Sequence, residues 1–160
     1  MAVRIAELPD SSLTEVRVGQ VRRVLCASPQ YLAERGRPKK PSHLSGHDII
    51  DFVNMTPGGE WAFEKDGAGV SFRPSPRLRL NTADAAIGAA AAGRGITRVF
   101  SYMVTEQVRT GALETLLEDH EPRAVPIHVV HKEAGRTSAR VRAVVDFLAL
   151  RLRADSALIR

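Results

Sequence analysis

Residues 81–96, NTADAAIGAAAAGRGI, leave the chain little freedom in how it folds. Before them, Leu78 and Leu80 alternate with Arg77 and Arg79, the period of a half-buried strand. Asn81 or Thr82 is then a good N-cap, since a side-chain oxygen there can accept an unpaired helix N–H. Asp84 falls in the first turn, where negative charge suits the helix dipole. The alanines of residues 85–92 favour helix, and their small side chains let it lie close to a sheet. Gly93 is a stop, because glycine accepts the left-handed conformation that ends helices. Residues 96–100 read as the next strand. This is a βαβ pattern, which predicts an α/β protein with a helix N-terminus at the carboxyl end of a strand. In such sheets small ligands bind there.

The flanking chain extends the pattern. Residues 1–6 alternate as a short strand, 8–12 form a turn, and 16–27 read as one strand. A compact helix follows, with Ser28 as cap, Pro29 at the first helical position and Gly36 as stop. Residues 37–41, with Pro38 and Pro41, are an exposed loop. Residues 48–53 form a strand, and a glycine-containing loop over 56–60 delivers Trp61. Residues 61–64 and 70–72 flank Lys65-Asp66-Gly67-Ala68-Gly69 as a β-hairpin. Ser101 is expected to cap a helix running to about Thr110, stopped by Gly111. Leu113, Leu116 and Leu117 suggest a short strand, and 126–130 a buried one. Thr137-Ser138 open an amphipathic helix with Val141, Val144, Val145, Leu148 and Leu152 on one face.

Composition excludes several classes. With 44% apolar and 26% charged residues the chain has the makeup of a globular protein, not a disordered one. A net charge of +5 favours polyanions only weakly. Its 160 residues suffice for one domain or two small lobes. The one cysteine, Cys26, rules out an intrachain disulfide framework and suits a reducing cytoplasm. No apolar run reaches 18 residues, so no membrane span is expected, and charge at Arg4 arrives too early for a secretory leader.

Catalytic constellations are absent. His43 and His47 are four apart, but Leu44-Ser45-Gly46 makes a poor helix and no ligand cluster completes a metal site. Cys26 reads as a small buried hydrophobe rather than a nucleophile. No serine-nucleophile elbow or phosphate loop is present, and Gly93-Arg94-Gly95 follows a helix instead of opening one. Arg35, Arg37, Lys39 and Lys40 cluster without interleaved aromatics, so they read as a solvated loop. No cofactor, metal, membrane partner or enzymatic activity is expected. What remains is a receptor. Both helices are expected to start at the same edge of one parallel sheet, so that Ser28, Asn81 and Thr82 converge on a carboxylate or a neutral polar group, with Trp61 as an apolar wall. The alternative is that Ser28 and Asn81 only cap helices and Trp61 only fills core.

Several segments resemble the effector-binding domain of LysR-type transcriptional regulators. They are Val24-Leu25-Cys26-Ala27-Ser28-Pro29-Gln30-Tyr31-Leu32, Gly36-Arg37-Pro38, Leu44-x-x-His47-Asp48, Trp61-x-Phe63, Asn81-x-x-Asp84, Gly93-x-Gly95-Ile96, Gly111-x-Leu113 and Val141-Arg142-Ala143-x-Val145-Asp146-Phe147-Leu148. Thr97-Arg98-x-x-Ser101-Tyr102 is similar to one subgroup, although many members carry proline where this chain has Phe100. The resemblance runs from about Val3 to about Leu150. It implies a type 2 periplasmic-binding-protein-like α/β fold, with lobe II complete over about residues 19–119 and lobe I partial, from pieces 1–18 and 120–160. It implies a small-molecule sensor in a homodimer or higher oligomer, contacting DNA only through an N-terminal winged helix that this sequence is expected to lack. It also implies that Ser28, Trp61, Asn81 and Thr82 are the effector contacts, forming one wall of a cleft. A solute-binding protein of the same fold is the alternative.

Overall fold

The computed structural model describes residues 1–7, 13–55, 58–132 and 139–158. The turn expected at 8–12, the Thr56-Pro57 part of the loop before Trp61 and the Thr137-Ser138 helix opening lie outside the described residues. In chain order the elements are β1 (Ala2–Ile5), β2 (Leu13–Val21), β3 (Arg23–Ala27), α1 (Pro29–Arg35), β4 (Ile49–Phe52), β5 (Trp61–Lys65), β6 (Ala68–Phe72), β7 (Leu78–Leu80), α2 (Ala83–Ala91), β8 (Ile96–Phe100), α3 (Thr105–Arg109), β9 (Glu114–Leu116), β10 (Val125–Lys132) and α4 (Ala139–Ala154). They fall into two compact units, Met1–Val21 with Ala124–Arg160, and Arg22–Arg123. The single strand expected over residues 16–27 is in fact two, β2 in one sheet and β3 in another, divided at Arg22.

The first unit is built on an antiparallel sheet of order β1-β10-β2. Ile127, Val129 and Val130 of the central strand are buried. Pro126 has no N–H for the ladder, but its carbonyl accepts from Ala6 N–H at 3.2 Å, and the register shifts just after it, between Ile127 and His128. Helix α4 packs against β2 and β10. Its buried stripe is narrower than expected. Val145 and Ala149 are buried and Leu148 and Leu152 half-buried, whereas Val141 and Val144 are exposed.

The second unit has a five-stranded sheet of order β7-β4-β8-β3-β9 and the expected β5-β6 hairpin. Strands β7, β4 and β8 are parallel, and β3 is antiparallel to both β8 and β9. Helix α2 makes the crossover from β7 to β8, burying Ala86, Ile87 and Ala90 against Val24, Cys26, Ile50, Phe52 and Val99. Alanines give it the close approach its composition predicts. On the opposite face Leu25, Ile49 and Ile96 pack with Tyr31 and Leu32 of α1 and with Trp61 and Phe63 of the hairpin. The helix expected from Ser101 is a 3-10 turn over Ser101–Val104 followed by the short α3, without a side-chain cap. Ser101 is used elsewhere, as described below.

Candidate functional site

Strand register decides which residues share an edge of the second unit. Phe52 pairs with Leu80 and Ile49 with Ile96, both in parallel. The residues after β4, β7 and β8 therefore emerge together: Asn54, Asn81 with Thr82, and Ser101 with Tyr102. This is the carboxyl edge of the parallel strands. Arg22, where the chain enters the unit, is here too. Its N–H donates to Ser101 Oγ at 3.2 Å, and its carbonyl accepts from Ser101 N–H at 2.9 Å.

Thr82 is the N-cap of α2. Its Oγ1 accepts from Ala85 N–H at 3.4 Å, and its carbonyl accepts from Ala86 N–H at 3.3 Å. Asn81 is exposed beside it, with its carbonyl accepting from Asn54 Nδ2 at 3.1 Å. Phe100 and Tyr102 stack with centroids 6.2 Å apart and planes inclined by 15°. Arg22 pairs with Glu121 at 3.0 Å. Burial pushes the Glu121 carboxyl upward, against the pull of Arg22. The edge thus combines an exposed amide, a hydroxyl, the first turn of a nine-residue helix and a stacked aromatic pair.

Trp61 presents no surface to this edge, because it is 0% exposed. It packs in the core, and the Arg98 guanidinium lies 5.1 Å from its ring centroid. Arg98 is itself buried and donates from Nη2 to the carbonyls of Met55 at 3.3 Å and Glu60 at 3.5 Å. Burial, helped by Arg23, lowers its pKa to about 10. It therefore remains a cation at neutral pH, and a tryptophan face suits a desolvated cation.

Ser28 lies at the other end of the sheet. Because β3 is antiparallel to β8, Cys26 stands opposite Thr97 and Ser28 emerges where β8 begins. The five residues of β3, at about 3.3 Å each, separate the two edges by roughly 15 Å. Ser28 Oγ accepts from Tyr31 N–H at 3.2 Å, and a Cβ built on Gly93 would lie 3.6 Å from it. The start of α1 therefore meets the end of α2, not its start. The expected convergence of Ser28 with Asn81 and Thr82 does not occur. Alternation of apolar residues marks a strand but carries no direction, and the convergence assumed that every strand was parallel.

The Ser28 edge holds a feature that sequence reasoning missed. A groove of about 520 Å³ is lined by Tyr31, Glu34, Arg35, Asp48, Arg77 and Arg94, among others. Its arginines sit far apart in sequence, on three separate segments, so no local motif announces them. Cys26 is buried, which pushes its thiol up to about 12 and leaves it inert at neutral pH. Among the described residues, no group of three or more His, Cys, Asp or Glu could hold a metal ion.

Residues 1–153 match the LysR substrate binding domain. The chain belongs to that family. It is 28% identical over 149 residues to the HTH-type transcriptional activator AaeR of Escherichia coli strain K12, covering 92% of this chain and 48% of AaeR. The chain thus spans about half the length of the curated relatives it matches. The regulatory domain of CrgA from Neisseria meningitidis, a LysR-type regulator, superposes with a TM-score of 0.78 at 28% identity, over 94% of this chain and 74% of that one. The full-length virulence activator AphB of Vibrio cholerae gives 0.80 at 25% identity, over 93% and 50%. The LysR domain described here accordingly has the α/β, type 2 periplasmic-binding-protein-like fold of those regulators. Among its described residues no helix is long and apolar enough to cross a membrane.

Proposed function

We propose that this LysR domain senses a small-molecule effector at the carboxyl edge of β4, β7 and β8, and thereby adjusts DNA binding by an N-terminal domain of the full-length regulator. The observation that carries this reading is the exposed Asn81-Thr82 pair at the start of α2, on the edge where α/β sheets bind ligands. The Asn81 amide supplies a donor and an acceptor, Thr82 a hydroxyl, and the first helical turn outward N–H groups. Asp84, exposed in the same turn, opposes a multiply charged anion, so a monocarboxylate or a neutral polar effector suits the edge. Trp61 is a core residue against Arg98 and no effector contact. Ser28, at the far edge, is a helix cap and no effector contact. The role is binding without catalysis, in the cytoplasm, within a homodimer or higher oligomer that meets DNA through the other domain.

The test is Asn81→Ala in the full-length regulator. The inducer response should weaken at least tenfold, with basal promoter binding intact. Loss of both would mean that Asn81 only supports the fold. A thermal-shift screen of small and aromatic carboxylic acids and of neutral polar metabolites on the unsubstituted full-length regulator should raise the midpoint by several degrees for at least one compound. A flat screen removes the support for sensing.

A further inference from the structure

We propose that the groove at the opposite edge, where β4, β7 and β8 begin, is a second site for a small oxyanion of two or more negative charges, of the phosphate or polycarboxylate kind. Arg35, Arg77 and Arg94 line it, together with Glu34 and Asp48. Most of these groups already have partners. Arg77 Nη1 pairs with Asp48 Oδ1 at 3.2 Å, and Glu34 Oε1 accepts from Gln30 Nε2 at 3.1 Å. Arg35 Nη2 spends one donor on the Gly46 carbonyl at 3.3 Å. Arg94 is exposed and, among the described residues, has no carboxylate within ion-pair distance. Positive charge is therefore in excess, and it resides on the residue type best matched to a bidentate oxyanion.

The groove is preformed by backbone contact. Asp48 carbonyl accepts from Ile96 N–H at 2.9 Å, and a Cβ on Gly95 would lie 2.3 Å from that same oxygen. This approach, open only to glycine, seats Arg94 beside the Arg77–Asp48 pair. The far wall is equally fixed. Tyr31 hydroxyl accepts from Asp48 N–H at 2.9 Å and lies 3.1 Å from His47 Nδ1. Burial and Arg35 both lower the His47 pKa, so its ring is neutral at pH 7 and can accept from Tyr31. A volume of about 520 Å³ takes a phosphorylated or polycarboxylic metabolite. The competing explanation is structural: Arg94 follows the end of α2, where a cation answers the helix dipole.

The experiment is an amide and arginine Nε–H NMR titration of this chain with phosphate and, separately, citrate, against sodium chloride at equal ionic strength. Saturable shifts at Asp48, Gly93, Arg94 and Gly95 are expected with phosphate or citrate and not with chloride. The tighter of the two ligands tells phosphoryl from polycarboxylate chemistry. Arg94→Gln should weaken affinity at least fivefold. Glu34→Gln, which removes an exposed negative charge, should strengthen it two- to fivefold. Arg37→Gln, outside the groove, should leave it unchanged. Equal shifts with chloride would overturn the proposal. So would an Arg94→Gln protein that is less stable yet binds as before, since Arg94 would then serve only the helix end.

Discussion

Gly95 illustrates how one residue can set a site from a distance. Its φ of +146° is left-handed territory, and the nearest atom to an added Cβ, at 2.3 Å, is backbone that cannot rotate away. Both the backbone strain and the clash with Asp48 would be imposed by a single methyl group. We expect Gly95→Ala to destabilise the second unit by at least about 2 kcal/mol. Trp61, the protein's one tryptophan, is buried in that unit and reports its unfolding by fluorescence. A urea midpoint equal to that of the parent protein would refute the expectation. The pattern Gly93-x-Gly95 was legible in the sequence as a helix stop with close packing. Its partner, the Asp48 carbonyl, was not, because that contact joins residues almost fifty positions apart.

Among the elements, α1 and α2 explain both what sequence reasoning achieved and where it failed. Ser28 was identifiable as a cap from local chemistry, and the second cap was narrowed to Asn81 or Thr82. The structure selects Thr82, and the Ser28 and Thr82 side chains each accept a hydrogen bond from the N–H three residues on. Direction was the missing quantity. A cap motif says where a helix starts along the chain, not at which edge of the sheet that start lies. The two caps therefore have separable roles. Ser28→Ala should cost about 1 kcal/mol or somewhat more, given that Ser28 is buried, and should leave the effector response unchanged. Urea denaturation followed by Trp61 fluorescence and an effector titration measure the two quantities. A lost response in a stably folded Ser28→Ala protein would return Ser28 to the effector site. Trp61 shows a similar division. Its place after a glycine loop was evident, but only packing put it inside the core under Arg98 instead of on a surface.

For the whole molecule, α4 carries the main apolar surface left exposed. Its apolar residues exceed what the first unit buries: Val144 is 43% exposed, Phe147 57% and Leu150 71%. Contiguous apolar surface on one helix face favours association, and a second copy of the chain brings a matching surface. We expect sedimentation velocity at micromolar concentration to find a dimer or larger species, and the double variant Phe147→Glu, Leu150→Glu to shift it to monomer. A parent chain that is monomeric throughout this range would show that these side chains do not drive self-association. The second unit carries the opposite kind of surface, polar at both ends of its sheet. The proposed effector edge and the proposed anion groove lie at the two ends of α2, so one short alanine-rich helix spans the distance between them.

Residues 81–96 by themselves determined a helix between two strands, a cap at Asn81 or Thr82, its stop and the α/β class, because capping, propensity and period are local properties. The motifs in order along the chain likewise determined the family. Only the tertiary structure decided that β3 runs against its neighbours, that Ser28 and Thr82 stand at opposite edges, and that Arg35, Arg77 and Arg94 share one groove. The reason is physical. Strand direction and the meeting of distant side chains are decided by pairing and packing across the sheet, interactions that leave no periodic trace in any one segment.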